Sequence, residues 1–225
     1  IYDTTLEQLR DDDTEYPTPL IALVGDVAAL RHRSSDSIRR TLYTGLGHTN
    51  PEFIHTPLIA IHELVDKREL IASIHRLHEY DYLLFTSQYA VKYWFAALKE
   101  TDHALPVTKI VSIGNTTTNA LEKEGVTNII QVEKDDSYGV LDYFSTQPQG
   151  KRILFPRSNL GLDILPKGLK KLGYDVDIVT AYNNLPSVNP WRVNLDNIQR
   201  VVFTSPSTID NFIQLHGTLP SHIDS

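Results

Sequence analysis

The sequence predicts an α/β protein with parallel sheets, and three observations support that prediction. Within Asp81–Leu98, an apolar run ending in Phe-Thr-Ser is followed by apolar residues at helical spacing, as expected for a buried strand leading into a helix. The same pattern returns at Gln199–Leu215. Around both copies, strand-like and helix-like segments alternate at the spacing of β–α–β units, which is typical of a parallel sheet covered by helices. The repeat indicates two similar α/β halves.

The apolar pattern places the elements in order. Apolar runs bounded by turn residues predict the strands, and Leu70, Ile74 and Leu77 predict one helical face. Gly125 and Gly173 follow two of the predicted helices as C-terminal caps. The predicted strands are residues 20–24, 41–45, 55–61, 83–85, 109–114, 128–132, 151–156, 176–182 and 201–203. The predicted helices are residues 4–10, 66–79, 91–98, 115–125, 137–144, 164–172 and 209–215.

Composition bounds the function. The 225 residues have room for one large or two small domains, and the net charge of −7 argues against a nucleic-acid or anionic membrane partner. The absence of cysteine excludes disulfides and thiolate chemistry. No run approaches the roughly 20 apolar residues of a membrane span, so we expect a cytoplasmic protein. Because the chain lacks methionine and starts at Ile1, we expect it to be a fragment or to lack some residues.

The two Phe-Thr-Ser turns are candidate anion sites. Thr86 and Ser87 in the first turn, and Thr204 and Ser205 in the second, stand where strand becomes helix, so their hydroxyls can cap the helix. A helix N-terminus also offers free N–H groups and a partial positive charge to an anion. A plain helix cap is the alternative interpretation of either turn alone. With a negative net charge overall, an anionic ligand has to be held by such local dipoles and a few basic residues.

The first 38 residues differ from the rest. The segment PLIALVGDVAALR resembles the C-terminal end of uroporphyrinogen-III C-methyltransferases, with Asp26 where that family has Glu. The resemblance implies a methyltransferase remnant and linker at residues 1–38, as in a bifunctional fusion. The glycine-rich cofactor loops of that family do not occur here, so methyl transfer is not expected. We expect the short strand at residues 20–24 to need a partner chain or a lost domain.

The rest of the chain resembles uroporphyrinogen-III synthases. The matching segments, which run in the family's order over residues 39–215, are TLYTG, PLIAI, YDYLLFTSQYAV, IVSIGNTTTNAL, ILFPRSNLGLDILPKGLKKLGYDVDIVTAYNN and VVFTSPSTIDNF. The resemblance implies two Rossmann-like or flavodoxin-like domains joined by a two-strand connector, with the active site in the cleft between them. Domain 1 would be discontinuous, residues 39–61 plus 179–225, and domain 2 would be residues 62–178. A further Ile-Gly-x-x-Thr turn of the family is missing, so we expect domain 1 to be incomplete.

The resemblance also implies the reaction. Synthases of this family close hydroxymethylbilane, a linear tetrapyrrole with eight carboxylates, into uroporphyrinogen III, with inversion of the last ring and loss of water. No cofactor or metal takes part. The expected partners are therefore this small-molecule substrate and an upstream methyltransferase domain, with no nucleic acid and no membrane. Holding a flexible substrate so that the correct carbon attacks is an effect of proximity and orientation.

The resemblance suggests roles for individual residues. Tyr182, on the returning strand, is the candidate proton donor for loss of the hydroxyl, and a packed strand tyrosine is the alternative. Ser87 and Ser205 lack the context of a nucleophile and are expected to donate hydrogen bonds to carboxylates. Arg157 is expected to pair with a carboxylate or to be merely solvated. The substrate-binding candidates are Thr86, Ser87, Gly114, Thr117, Tyr138, Arg157, Asn159, Gly161, Thr204, Ser205 and Ser207.

Other functions remain open at this point. His75 and His78 are three positions apart on a predicted helix, but without an H-E-x-x-H pattern a solvated pair is the simpler interpretation and no metal site is predicted. A glycosidase is unsupported, since no acidic residue ends a strand in both halves. A non-enzymatic two-domain module for a small anion would use the same turns. The chain could also serve only as the partner domain of a methyltransferase.

Overall fold

The computed structural model describes residues 22–24, 40–47, 50–104, 108–188, 190 and 192–223. The chain divides into two compact units, one made of residues 1–60 with 185–225 and the other of residues 61–184. The domain boundaries given above remain a prediction. The predicted helix at residues 4–10, and most of the segment 1–38, lie outside the described residues.

Strands and helices alternate along the described chain. The strands are β1 (Ala22–Val24), β2 (Thr41–Tyr43), β3 (Phe53–His55), β4 (Ile59–His62), β5 (Tyr82–Phe85), β6 (Lys109–Ser112), β7 (Ile129–Gln131), β8 (Arg152–Ser158), β9 (Asp175–Pro186) and β10 (Arg200–Phe203). The helices are α1 (Arg68–His75), α2 (Gln88–Lys99), α3 (Gly114–Lys123), α4 (Ser137–Ser145), α5 (Ile164–Lys171) and α6 (Pro206–His216). The α/β class with parallel sheets is confirmed.

The unit of residues 61–184 is built on a six-stranded sheet of order β4-β9-β8-β5-β6-β7. The five strands from β9 to β7 are parallel neighbours. The central strand β5 is buried along its whole length, which explains why its sequence is an unbroken apolar run. Its alternate residues serve two cores. Leu83 and Phe85 pack with α1, α2 and α3, whereas Tyr82 and Leu84 pack with α4 and α5. The sheet is thus covered by helices on both faces.

The other unit has a four-stranded sheet of order β1-β10-β2-β3. Strands β10, β2 and β3 are parallel, and β1 pairs antiparallel with β10 through Ala22 and Phe203. Phe203 and Phe212 pack edge to face with ring centroids 5.3 Å apart, which fixes α6 on the sheet. Leu42 and Val201 complete the centre of this core.

Two strands differ from the sequence prediction. The strand at residues 20–24 was expected to need an outside partner, but β10 supplies the partner of β1 within the chain. The single strand predicted over residues 55–61 is divided into β3 and β4. Pro57 stands between them and has no N–H to donate, while Thr56 and Leu58 on either side donate to carbonyl oxygens of Tyr43 and Thr44.

Asp81 ties the amino end of β5 to that of β8. Its carboxylate accepts from the Arg152 N–H at 2.9 Å and from Lys151 Nζ at 2.9 Å. In return, the Asp81 N–H donates to the Arg152 carbonyl oxygen at 2.9 Å. The hydrogen bond from the Arg152 backbone, followed by that from Lys151, holds the pKa of Asp81 below its ordinary value of 3.8.

We expect Asp81→Asn to lower the free energy of unfolding at pH 7 by about 1 kcal/mol, because an amide weakens a charge-assisted hydrogen bond and the Lys151 pair is screened by solvent. A depressed folded-state pKa stabilises the fold above the unfolded-state pKa, and this contribution disappears as pH falls through the folded-state pKa. The difference between variant and wild type should therefore vanish under acid conditions. Urea unfolding at several pH values measures it.

The control is Asp142→Asn, which removes the same charge from an exposed pair with Lys134. We expect that variant to change stability little. A difference for Asp81→Asn that stays unchanged as the pH falls well below the unfolded-state pKa would contradict the role given to the carboxylate.

Candidate functional site

The carboxyl edge of the larger sheet gathers most of the predicted site residues. Because β9, β8, β5 and β6 are parallel, their carboxyl ends meet at one edge. Thr86 and Ser87 follow β5, Gly114 follows β6, and Asn159 follows β8. Tyr182 joins them from β9, since it pairs with Ser158, the last residue of β8.

Tyr182 is buried at this edge, with 7% of its surface exposed. Its hydroxyl donates to Ser87 Oγ at 3.2 Å, and Ser87 Oγ also accepts from the Tyr89 N–H at 3.1 Å, which caps α2. The Tyr182 ring stacks on Tyr93, with centroids 6.0 Å apart, and tilts against Tyr89 at 6.1 Å. Ser87 is therefore both a helix cap and the hydrogen-bond acceptor of the tyrosine.

Burial favours the protonated form of Tyr182. Desolvation raises the pKa of its phenol, and the hydrogen bond with Ser87 lowers that pKa in part. The net shift is upward, so the phenol, which is neutral at pH 7 even at its ordinary pKa of 10.0, stays neutral to higher pH. A neutral phenol is a hydrogen-bond and proton donor, which agrees with the role predicted from the sequence.

Arg157 is engaged by its own turn. Its guanidinium donates to the Leu162 carbonyl oxygen at 2.6 Å and to Asp163 Oδ1 at 3.3 Å. The side chain lies so close to Gly161 that a Cβ there would be 2.5 Å from Arg157 Cδ. The amides predicted to bind substrate are also used: Asn159 N–H donates to the Tyr182 carbonyl oxygen, and Gly161 N–H to that of Ser158. The structure thus gives this turn internal partners.

The turns before α3 and α4 face carboxylates of the chain itself. Gly114 begins α3 with a φ of 72°, a conformation that glycine adopts without strain. A Cβ on Gly114 would lie 3.6 Å from the carboxyl carbon of Asp135. Thr117, in the same helix, is buried. Tyr138 lies in the first turn of α4, whose cap Asp136 accepts from the Gly139 N–H at 2.8 Å. Sequence analysis missed both aspartates.

In the smaller sheet, Thr208 organises the turn before α6. The N–H groups of Thr204 and Ser205 both donate to Thr208 Oγ1 at 3.3 Å, and that hydroxyl donates to the Ser205 carbonyl oxygen at 2.7 Å. The hydroxyls of Ser205 and Ser207 lie 2.9 Å apart. Thr204, Ser205 and Ser207 therefore form one hydroxyl-rich turn at the carboxyl end of β10.

Two further residues of this unit lie close to that turn, and the sequence analysis did not name them as site residues. Gly45 follows β2, and a Cβ there would be 2.6 Å from Thr204 Cγ2 and 2.9 Å from Tyr43 Cε1. His55 ends β3, and its Nε2 lies 2.8 Å from the Gly45 carbonyl oxygen. The TLYTG segment gave the signal for Gly45, since a glycine directly after a strand often allows close approach of another chain segment.

The predicted residues separate by unit. Thr204, Ser205 and Ser207 belong to the unit of the smaller sheet, and the other predicted residues belong to residues 61–184. A groove of about 570 Å³ lies at the opposite, amino edge of the larger sheet, lined by Asp81, Lys109 and their neighbours. No predicted residue lines it. We place a candidate site at the carboxyl edge of each sheet instead, because hydroxyls and helix N-termini lie there.

The described residues include no metal-ligand cluster and no membrane-spanning helix. No three of their His, Asp or Glu side chains are grouped so as to hold a metal ion. His75 instead packs edge to face on His103, with ring centroids 4.7 Å apart. Within the same described part of the chain, no helix has both the length and the apolar character needed to cross a membrane.

A family model, described as uroporphyrinogen-III synthase HemD, matches residues 46–223. The chain belongs to the uroporphyrinogen-III synthase family. A relative from Chlorobaculum parvum named uroporphyrinogen-III synthase is 29% identical over 153 residues, covering 60% of this chain and 60% of that protein. A protein from Methanothermobacter thermautotrophicus is 29% identical over 151 residues, covering 63% of this chain and 60% of its own length. The synthase-family chain thus spans about 60% of these curated relatives.

A solved structure has the same fold. The crystal structure of a mutant uroporphyrinogen III synthase from Thermus thermophilus matches with a TM-score of 0.52 and 21% identity, covering 66% of this chain and 64% of that one. At this identity the likeness concerns the fold alone. It agrees with the two α/β units and their parallel sheets.

We expect Gly45→Ala to destabilise its unit by about 1–3 kcal/mol, because the added methyl group would overlap the side chains of Thr204 and Tyr43. Urea unfolding followed by circular dichroism measures the loss. Gly47→Ala is the matched control two residues away, where an added Cβ meets no atom within 4 Å. It should stay within about 0.5 kcal/mol of wild type. Equal stability of the two variants would show that Thr204 is not held against Gly45.

Proposed function

We propose that this chain is a uroporphyrinogen-III synthase that converts hydroxymethylbilane into uroporphyrinogen III, with inversion of the last ring and loss of water. The observation that carries the proposal is the buried Tyr182 phenol at the carboxyl edge of the larger sheet, in a chain of this family. The reaction needs a group that protonates a leaving hydroxyl and a surface that holds carboxylates. Tyr182 supplies the first requirement, and the hydroxyl-rich turns supply the second.

In the proposed first step, the Tyr182 phenol donates its proton to the hydroxyl of the linear substrate, which leaves as water. The substituted carbon of the last pyrrole attacks the cationic azafulvene that remains, which gives a spiro intermediate. The older bond from that carbon to its bridging methylene then breaks, and the methylene cation so formed adds to the other α-carbon of the same pyrrole, which inverts the ring. Loss of the hydrogen on that α-carbon as a proton restores the pyrrole. The phenol is protonated near neutral pH, and burial, which raises its pKa, extends that state to higher pH. Tyr182 regains a proton when the ring system loses one on closure.

In the proposed binding mode, substrate carboxylates lie against local dipoles instead of a positive surface. The chain carries a net charge of −7, so its overall field repels a substrate with eight carboxylates. Helix N-termini attract carboxylates through their N–H groups and partial positive charge. Ser87 before α2 and Ser205 before α6 mark two such termini. We assign Thr86 and Ser87 to one group of carboxylates, and Thr204, Ser205 and Ser207 to another.

The other substrate-binding candidates already have hydrogen-bond partners or charged neighbours within the chain, and these limit the roles that we assign to them. Arg157 can bind a carboxylate only by exchanging its bonds to Leu162 and Asp163. Gly114, Thr117 and Tyr138 lie near Asp135 and Asp136, whose charge disfavours a substrate carboxylate unless a hydrogen bond compensates. We therefore assign them to the neutral parts of the substrate. Asn159 and Gly161 shape the turn after β8, on which Tyr182 depends.

A fusion with an upstream methyltransferase remains a second proposal. The family match begins at residue 46, so residues 1–38 lie outside it, as a preceding remnant would. The pairing of β1 with β10 instead ties Ala22–Val24 to the synthase sheet. Titration of the chain with S-adenosyl compounds should give no heat, since the sequence contains none of the glycine-rich cofactor loops. A cytoplasmic location and the absence of a cofactor stay predictions.

The proposed activity is tested with freshly made hydroxymethylbilane, followed by oxidation and chromatographic separation of the isomers. Uncatalysed closure gives the isomer I, without inversion. We expect the chain to produce isomer III in excess and to consume the substrate faster than buffer does. Isomer I alone, formed at the uncatalysed rate, would leave the chain as a module that binds anions.

We expect Tyr182→Phe to lower kcat by about 100-fold, within the range by which positioned proton donors accelerate reactions. The ring and its packing remain, so KM should change little. Tyr143→Phe is the control, because it removes a phenol from a partly buried ring on α4, outside the site. Initial rates of isomer III formation measure both. Full activity of Tyr182→Phe would remove the donor role and leave the carboxylate-binding turns to be tested alone.

A further inference from the structure

An irregularity in the pairing of β8 with β9 brings one unassigned hydroxyl to Tyr182. Arg157 pairs with Thr180, and the next residue of β8, Ser158, pairs with Tyr182 instead of Ala181. The extra residue in β9 is a β-bulge, a device that re-aims side chains next to functional sites. Residues paired on neighbouring strands project to the same face of a sheet, so the Ser158 hydroxyl lies beside the Tyr182 side chain.

The phenol oxygen has room for one more hydrogen bond. Its own hydrogen points to Ser87 Oγ at 3.2 Å, which leaves its lone pairs free to accept. Ser87 Oγ already accepts from Tyr89 N–H, so Ser87 is fixed by α2. On the ring, Tyr89 and Tyr93 limit rotation but offer no hydrogen bond to the oxygen. Ser158 is placed to supply the second polar contact.

We propose that Ser158 is a positioning residue for Tyr182: its hydroxyl donates to the phenol oxygen and, together with Ser87, fixes the direction in which the phenol gives up its proton. The inference rests on the proposed function and goes beyond it, since it assigns the orientation of the proton donor to a second residue of the chain. Burial raises the pKa of Tyr182, and the bonds with Ser87 and Ser158 counteract it, which agrees with a donor aimed at the oxygen.

The other groups that face Tyr182 are few. Tyr89 and Tyr93 of α2 are the titratable groups on its ring, and Lys92 Nζ lies 5.1 Å from the centroid of the Tyr93 ring. On the side of β8, the Arg157 guanidinium is bonded to Leu162 and Asp163. Removal of the Ser158 hydroxyl therefore changes a neutral contact and leaves the neighbouring charges in place.

The test titrates Tyr182 directly. Tyrosines are replaced by 3-fluorotyrosine, which brings phenol titration closer to neutral pH, and the ¹⁹F resonance of residue 182 is identified by its loss in Tyr182→Phe. In Ser158→Ala, we expect this resonance to titrate at higher pH than in wild type. Ser158→Thr keeps the donor and should titrate like wild type. Ser145→Ala is the control, because it removes the hydroxyl of an exposed serine of α4, which donates to the Asp142 carbonyl oxygen.

Kinetics provide a second readout. We expect Ser158→Ala to lower kcat about tenfold with KM unchanged, as expected for the loss of one hydrogen bond that orients the donor. The donor works only when protonated, so a higher pKa moves the alkaline limb of the rate profile to higher pH. Ser158→Thr should restore both kcat and the profile. Ser158→Cys offers a weak donor of similar size and should give a smaller upward shift, which keeps the test decisive where the alanine variant does not fold.

The outcomes separate this inference from the proposed function. An unchanged Tyr182 titration in Ser158→Ala, with isomer III still formed at the wild-type rate, overturns the inference alone. Isomer I from the wild-type chain overturns the proposed function, and an upward shift of the Tyr182 titration then still supports the hydrogen bond from Ser158. A shift of equal size in Ser145→Ala assigns the effect to general loosening of the unit and overturns the inference.

Discussion

The parallel pairing of β8 with its two neighbours is the constraint on which the larger unit depends. It aligns β5, whose side chains are buried on both faces, and it sets the register of β9 through seven residue pairs. The polar edge follows from this alignment, because strands that run the same way end together. The bulge at the end of β8 then decides that Tyr182, instead of Ala181, meets that end. The strand pairing that buries β5 thus also fixes the position of Tyr182.

Both units of this acidic chain place the same kind of local dipole at a sheet edge. Each ends a buried strand with a Thr-Ser pair and starts a helix at once, so backbone dipoles and hydroxyls lie at the sheet edge. The local chemistry differs, however. Ser87 caps its helix and accepts from Tyr182, whereas Thr208 collects the N–H groups of Thr204 and Ser205. One sequence motif therefore supports two different hydrogen-bond networks.

The fold could be predicted from sequence where the physical signal is local. Apolar runs and helical spacing predict β5, α2 and β10, because burial on both faces demands continuous apolar residues. The division between β3 and β4 was missed, since it depends on Pro57 and on hydrogen bonds with a distant strand. The partner of β1 was missed for the same reason: pairing of Ala22 with Phe203 joins residues far apart in sequence.

The site shows the same limit. Tyr182, Ser87 and Thr204 could be named because strand–turn–helix patterns and the family resemblance mark them. The internal hydrogen bonds of Arg157 could not be predicted, since the sequence does not show that this side chain folds back over Gly161. Nor does spacing reveal that Ser158 lies opposite Tyr182, because a bulge changes register without leaving a composition signal.

The division of the chain has a consequence for the order of folding. Residues 61–184 form a continuous segment with their own core, so their contacts can form without the rest of the chain. The smaller unit joins β2 and β10, which that whole segment separates, and closing so long a loop costs entropy before any contact repays it. Prior collapse of the inserted segment shortens this loop and draws the two strands together. The separation of β2 from β10 therefore favours a folding order in which residues 61–184 form first.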